Sequence, residues 1–163
     1  MSDVFSALRG MQALDGMREE HIQQLATIAE DIAFPSGAIL FREGDPATDV
    51  YLLVEGSVSI EICAPSVGCR RILTVGEGEL LGWSPVLEQA KLTATARAQS
   101  PTQAIKINGQ RLLALCDQDT RFGYEFMRRA ALAVAKRLSA TRLQLLNVYG
   151  TEMPRTIENA GRA

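Results

Sequence analysis

The segment Gly78-Glu79-Leu80-Leu81-Gly82-Trp83-Ser84-Pro85, followed by Thr93-Ala94-Thr95-Ala96-Arg97, carries the clearest chemical signal in the chain. The pattern predicts a strand that ends at Gly76-Glu77-Gly78, a short turn of helix, and a returning alternating strand. Backbone N–H groups at the start of such a turn point outward together and attract anions, phosphate above all. Glycines at 78 and 82 carry no Cβ and let the backbone approach a ligand closely. The segment reads as a phosphate cradle.

Other reactive residue types are sparse. The three cysteines, Cys63, Cys69 and Cys116, show no CxxC spacing, and the single histidine, His21, forms no metal constellation. Cys63 and Cys69 flank Ala64-Pro65-Ser66-Val67-Gly68, a hairpin loop, which sets them opposite each other across two strands. In a reducing cytoplasm they are expected to be free thiols, with a redox switch as the alternative. His21 lies in the acidic, helical stretch Met17–Ile28 and is expected at the surface. Neither a Ser-His-Asp set nor a paired-carboxylate centre is legible, so the sequence predicts no catalytic activity.

The chain of 163 residues is long enough for one domain with a core of its own. Its apolar runs fall short of the roughly 20 residues that cross a bilayer. Met1-Ser2-Asp3-Val4 lacks the basic start of a secretory signal, and a cytoplasmic, membrane-free protein is expected. The net charge of −2 is unevenly spread. Residues 1–50 hold nine acids against three bases, whereas residues 120–149 hold six bases against the single acid Glu125. Such a basic helix either contacts nucleic-acid phosphates or simply solvates its outer face and pairs with acidic neighbours.

The elements that must position the cradle follow from periodicity. Residues 18–30 have apolar positions at Ile22, Leu25, Ala26, Ile28 and Ala29, as an amphipathic helix does. Short strand-like segments then alternate with Gly, Pro and Asp turns: Ile39-Leu40-Phe41, Val50–Val54, Val58–Cys63, Arg70–Val75, Thr93–Gln99 and Thr102–Ile107. This spacing predicts a small sandwich or barrel. In the fifth segment Ala94, Ala96 and Ala98 form the buried face; Thr93, Thr95, Arg97 and Gln99 look toward a pocket or solvent. A short helix spans Gln110–Cys116, and Asp117-Gln118-Asp119-Thr120 breaks it and caps a second, long one at about 120–149. Met127, Ala131, Val134, Leu138, Thr141, Leu145 and Val148 alternate in steps of four and three, an a/d seam for a partner helix. Leu132, Ala135, Leu143 and Leu146 form a second apolar face. Gly150 ends the helix, and residues 151–163 read as a flexible tail behind a single domain, 1–150.

Phe41-Arg42-Glu43-Gly44-Asp45, Tyr51-Leu52-Leu53-Val54-Glu55-Gly56-Ser57-Val58 and Gly78-Glu79-x-x-Gly82 together resemble the cyclic-nucleotide-binding domain of the bacterial cyclic AMP receptor (CRP/FNR-like) family. Arg137-Leu138-Ser139-Ala140-Thr141 is similar to that family's dimerisation helix. The resemblance covers about residues 20–149. It implies an α+β, mainly β fold: a jelly-roll-like β-roll with flanking N-terminal helices and a long C-terminal dimerisation helix. It implies a cyclic nucleotide, cyclic AMP or cyclic GMP, as regulatory ligand.

Carried over residue by residue, the resemblance departs at two charged positions. Gly82 matches, but Trp83 stands where the family has the Glu that binds the ribose hydroxyl. Thr93 and Ala94 match, but Leu92 stands where the family Arg clamps the cyclic phosphate, with Lys91 one residue earlier. A Lys offers a point charge where Arg offers a planar fork. Arg97 is a second candidate cation, or else a salt-bridged strand arginine. Trp83 either stacks on a flat ligand or fills the vacated pocket. Thr141 aligns with the family threonine that touches the base, and Arg142 takes the neighbouring position. The implied ligand set is therefore Gly82, Trp83, Ser84, Lys91, Thr93, Arg97, Thr141 and Arg142.

Thirteen residues follow Gly150, too few for the helix-turn-helix domain that follows in the family, so sequence-specific DNA binding is not expected. Two functions fit. One is a stand-alone homodimeric regulatory module that senses a small anion and signals to a protein partner. The other is a ligand-free dimerisation scaffold whose pocket has decayed.

Overall fold

The computed structural model describes residues 3–87 and 90–156, with helices α1 (Asp3–Arg9), α2 (Glu19–Ala26), α3 (Gly109–Gln118) and α4 (Thr120–Tyr149). Between α2 and α3 run eight strands: β1 (Ala29–Phe34), β2 (Ile39–Phe41), β3 (Asp49–Glu55), β4 (Val58–Ala64), β5 (Gly68–Val75), β6 (Leu80–Leu81), β7 (Thr95–Ala98) and β8 (Thr102–Asn108). They form two four-stranded antiparallel sheets in the orders β1-β8-β3-β6 and β2-β7-β4-β5. The expected sandwich with flanking helices is what the chain adopts.

Alternation along β3 shows how the layers form. Tyr51 and Leu53 point between the sheets, where they meet Val58, Val75, Leu81, Ala96 and Ala104. Val50 and Leu52 point the other way, with Ile105 and Ile107 of β8, against Leu8, Leu25, Leu112, Phe122 and Phe126 of the helices. β3 is thus buried on both faces, which its unbroken apolar run requires. The alanine face of β7 is buried as expected: Ala96 and Ala98 are fully covered, and Thr95 and Arg97 are not.

The helix boundaries are set by side-chain caps. Asn108 accepts from the N–H of Arg111 to start α3, and Asp119 accepts from Arg121 and Phe122 to start α4. Both satisfy main-chain donors that have no partner inside the helix. Gly150 follows the last residue of α4, as expected. A turn at 151–153 succeeds it; the tail beyond residue 156 lies outside the described residues.

Several expectations are corrected. The helix predicted over 18–30 stops at Ala26, and residues 29–34 are strand β1. The reason is long-range: Ala29 packs on the helix-side core, Ile32 and Phe34 pack between the sheets, and Glu30 forms a 3.0 Å ion pair with its register partner Lys106. The predicted helical turn after Gly78 is preceded by β6, and the 3-10 turn itself is Ser84–Leu87.

His21 is buried, not at the surface. It shares the inner side of α2 with Ile22 and Leu25, bonds through Nδ1 to the Glu125 carboxylate at 2.8 Å, and packs edge-on to Phe122. Its Nε2 lies 3.7 Å from Asp119. The His21 bond holds Glu125 below the ordinary value of 4.5, and the Phe122 N–H holds Asp119 below 3.8. A carboxyl depressed in the folded state stabilises the fold above its unfolded value and loses that contribution as pH falls through its folded value. The urea midpoint should therefore decline as pH drops below about 4.5, and His21→Leu should flatten the Glu125 part of that decline.

Cys63 and Cys69 are register partners across β4 and β5, as expected, but they form a disulfide rather than two thiols. Facing positions in an antiparallel pair bring the sulfurs within bonding reach. Closing a loop between residues six apart is worth up to about 2 kcal/mol. Reductant, or Cys69→Ser, should lower Tm by a few degrees, read by calorimetry with and without dithiothreitol. The third thiol, Cys116, is buried and pushed up to about 11, which makes it a poor nucleophile at neutral pH.

Candidate functional site

Gly82 sits where β6 turns away from the sheet, with φ of 75°. A side chain there is disfavoured twice over. The conformation favours glycine, and a Cβ would lie 3.1 Å from the Asp49 carbonyl and 3.3 Å from the Phe41 ring. Phe41 stacks on Tyr51 just inside, so the chain passes close over an aromatic floor. Behind the turn, Gly109 at the start of α3 leaves room for Pro85, whose Cβ would clash with any larger residue. The 3-10 turn is thereby held between β3 and α3, with Ser84 buried.

Trp83 leaves this turn half-buried and meets α4. The Arg137 guanidinium carbon lies 4.4 Å from the centre of the Trp83 ring, a cation–π contact. The same guanidinium donates to the Leu80 carbonyl at 2.9 Å and sits 3.6 Å from the Glu79 carboxylate. Burial lowers the arginine's pKa, and Glu79 opposes that shift. One residue of the long helix thus clamps the strand before the turn and the tryptophan within it. Thr141, one helical turn on, is half-buried and donates to the Arg137 carbonyl at 2.9 Å.

The remaining candidates are not drawn into this contact. Lys91 is exposed, in a bridge with Pro46, and Thr93 is exposed beside it. Leu92, expected at the family's arginine position, is buried, its main chain tied to Gly44 and Asp45. Arg97 is on the β7 face opposite Ala96 and Ala98, where it pairs with Glu61 at 3.0 Å and reaches the Gly37 carbonyl. Arg142 is exposed on α4. Arg137 was not among the predicted site residues. In the sequence it is one of the bases of residues 120–149 and opens the stretch likened to the dimerisation helix, but its partners Glu79, Leu80 and Trp83 are more than fifty residues away.

On α4 only Phe122, Gly123, Phe126 and Ala130 are buried. Of the predicted seam, Met127 packs on the core. Ala131, Val134, Leu138, Leu145 and Val148 are exposed, as are Leu132, Leu143 and Leu146 of the second face. Among the described residues no group of three or more His, Cys, Asp or Glu gathers as a metal site, and no helix is long and apolar enough to cross a membrane.

A two-sheet β-roll closed by a long helix, with Trp83 of the glycine turn packed against that helix, defines the fold class. Residues 31–119, more than half of the chain, match the family model of the cyclic nucleotide-binding domain, and the chain belongs to that family. It is 35% identical over 95 residues to a protein named as a potassium channel in Rhodopseudomonas palustris, covering 58% of this chain and 22% of the channel. It is 24% identical over 140 residues to the CRP-like cAMP-activated global transcriptional regulator of Mycobacterium tuberculosis, covering 85% of this chain and 60% of the regulator. Among solved structures it superimposes on a protein described as a cyclic nucleotide-binding protein from Geobacter metallireducens with a TM-score of 0.72. There the identity is 28%, over 82% of this chain and 96% of the other. The chain thus spans less than two thirds of the length of the two curated relatives.

Proposed function

We propose that this domain is a non-enzymatic, homodimeric regulatory module that senses a small anion, a cyclic nucleotide first among them, and reports it to a protein partner. The observation that carries this reading is Arg137. It joins the turn holding Gly82, Trp83 and Ser84 to the helix whose exposed seam would meet a second copy. A ligand that competes with Trp83 for Arg137 would favour one setting of α4 over another, and only such differential affinity shifts an equilibrium. Dimer formation would cover the leucines of the distal helix, and Leu138→Glu should leave a monomer by sedimentation.

A second reading, the ligand-free dimerisation scaffold, is favoured by Leu92 and Arg97: the first is apolar and buried, the second already paired with Glu61. Thermal shift separates the two. A ligand at 100 times its Kd adds about 2.7 kcal/mol, several degrees for a domain of this size. A shift with cyclic AMP, cyclic GMP or a cyclic dinucleotide supports the sensor. No shift with any of them at millimolar concentration leaves the scaffold.

A further inference from the structure

A cleft of about 400 Å³ opens beside the turn described above, between the 3-10 segment Gln12–Leu14, the end of β5, the Gly78–Leu80 segment and one side of α4. Its lining includes none of Gly82, Trp83, Ser84, Lys91, Thr93 or Thr141. We infer that it is a second binding site, for a small organic anion that carries an apolar body.

The volume lies within the range of small-molecule sites. Leu73, Leu80, Leu132, Ala133 and Ala140 supply apolar walls, while the charged lining is four cations against Asp15 and Glu79. Glu79 is already engaged, by the Gly76 N–H and by Arg137. The positive charge in the cleft is therefore in excess.

Its placement suits one ligand. Arg129 and Lys136 are seven residues apart and share a helix face, about 10 Å apart along the axis. Arg129 donates to the main-chain carbonyls of Glu125 and Asp15, which fixes the side chain without neutralising it. Its Nε is buried with no hydrogen-bond partner among the described residues. Arg129 lines the cleft as a cation that no described carboxylate pairs with, and an anionic head there would supply that partner. Among the described residues neither Lys136 nor Arg128 forms an ion pair, and both are exposed at the cleft's edge. An anionic head beside the helix cations, with its body on the leucine and alanine wall, satisfies both parts of the lining. The cleft shares Arg137 with the cyclic-nucleotide reading but does not rest on it, since the cations tested are Arg128 and Lys136 and the probe is another.

Two dyes with the same aromatic body test it: 1-anilinonaphthalene-8-sulfonate, which is anionic, and N-phenyl-1-naphthylamine, which is neutral. The sulfonate should bind the full chain at one site per chain and change the fluorescence of Trp83, the sole tryptophan, because Arg137 touches both. Arg128→Glu with Lys136→Glu should raise its Kd at least tenfold and leave the neutral dye within twofold. If the charge reversals unfold the protein, Arg128→Gln with Lys136→Gln should still raise it about threefold. An unchanged sulfonate Kd in a folded variant overturns the inference. So does an equal loss of both dyes, or sulfonate binding that vanishes with rising protein concentration as a second copy covers the cleft.

Discussion

Phe122→Ala should destabilise the domain by about 3–5 kcal/mol and lower its Tm by ten degrees or more. Phe122 is fully buried, stacks on Phe126 with ring centres 6.1 Å apart, and meets the His21 ring edge-on. It is the first buried side chain of α4, three residues after the Asp119 cap, so it fixes both the position and the direction in which a thirty-residue helix leaves the domain. Removing the ring opens a cavity that three elements, α2, α3 and α4, would have to close, and close packing resists that collapse. It also strips His21 of one wall while leaving its bond to Glu125. The Tyr124→Ala control, at an exposed position two residues on, should move the urea midpoint by little. A loss below about 1 kcal/mol in Phe122→Ala, by urea unfolding with an unchanged m value, would mean that α4 is not anchored there.

That anchor also shows what the chain's local pattern reveals and what it withholds. The alternation of alanines with Thr95 and Arg97 was enough to place β7 and its buried face, and the run Val50–Val54 was enough to place a central strand. Asp119 was legible as a cap because capping is a contact between near neighbours. The fold and the glycine turn could therefore be read from the sequence. β1 was not, since Glu30 and Asp31 look like the end of an acidic helix until Lys106, far along the chain, supplies a partner. β6 is two residues long and exists through its pairing with Tyr51 and Leu52. His21 and Arg137 share this property. Each carries a charge or polar group whose meaning is set by a residue more than fifty positions away, and helical periodicity holds no information about such partners. The facing of Cys63 and Cys69 follows from a hairpin register, whereas the bond between them depends on where the strands bring the two sulfurs.

Trp83→Glu combined with Leu92→Arg should create cyclic AMP affinity at least a hundred times that of the natural chain, measured by calorimetry. Each charged hydrogen bond is worth on the order of 1.5–3 kcal/mol, and two of them multiply to a hundredfold or more. The structure adds a stability consequence to the sequence comparison. Leu92 is buried, so Leu92→Arg alone places a charge where apolar packing now stands and should lower Tm. Trp83→Glu alone brings a carboxylate beside Arg137, which is already shared with Glu79 and Leu80, and should draw the guanidinium from one acid toward the other. In the double variant the ligand's phosphate would answer the new arginine, and its ribose hydroxyl the new glutamate. Cyclic AMP should then restore the Tm that Leu92→Arg removes, which a purely structural repair would not do. If the double variant folds and neither binds cyclic AMP nor gains Tm from it, residues 83 and 92 do not face a common ligand. The retained Gly82, Ser84 and Thr93 would then mark inheritance of the fold without its pocket. If it does bind, the natural Trp83–Arg137 stack is the element that took the ligand's place, and α4 is held in the domain by a side chain where its relatives' family pattern puts a carboxylate.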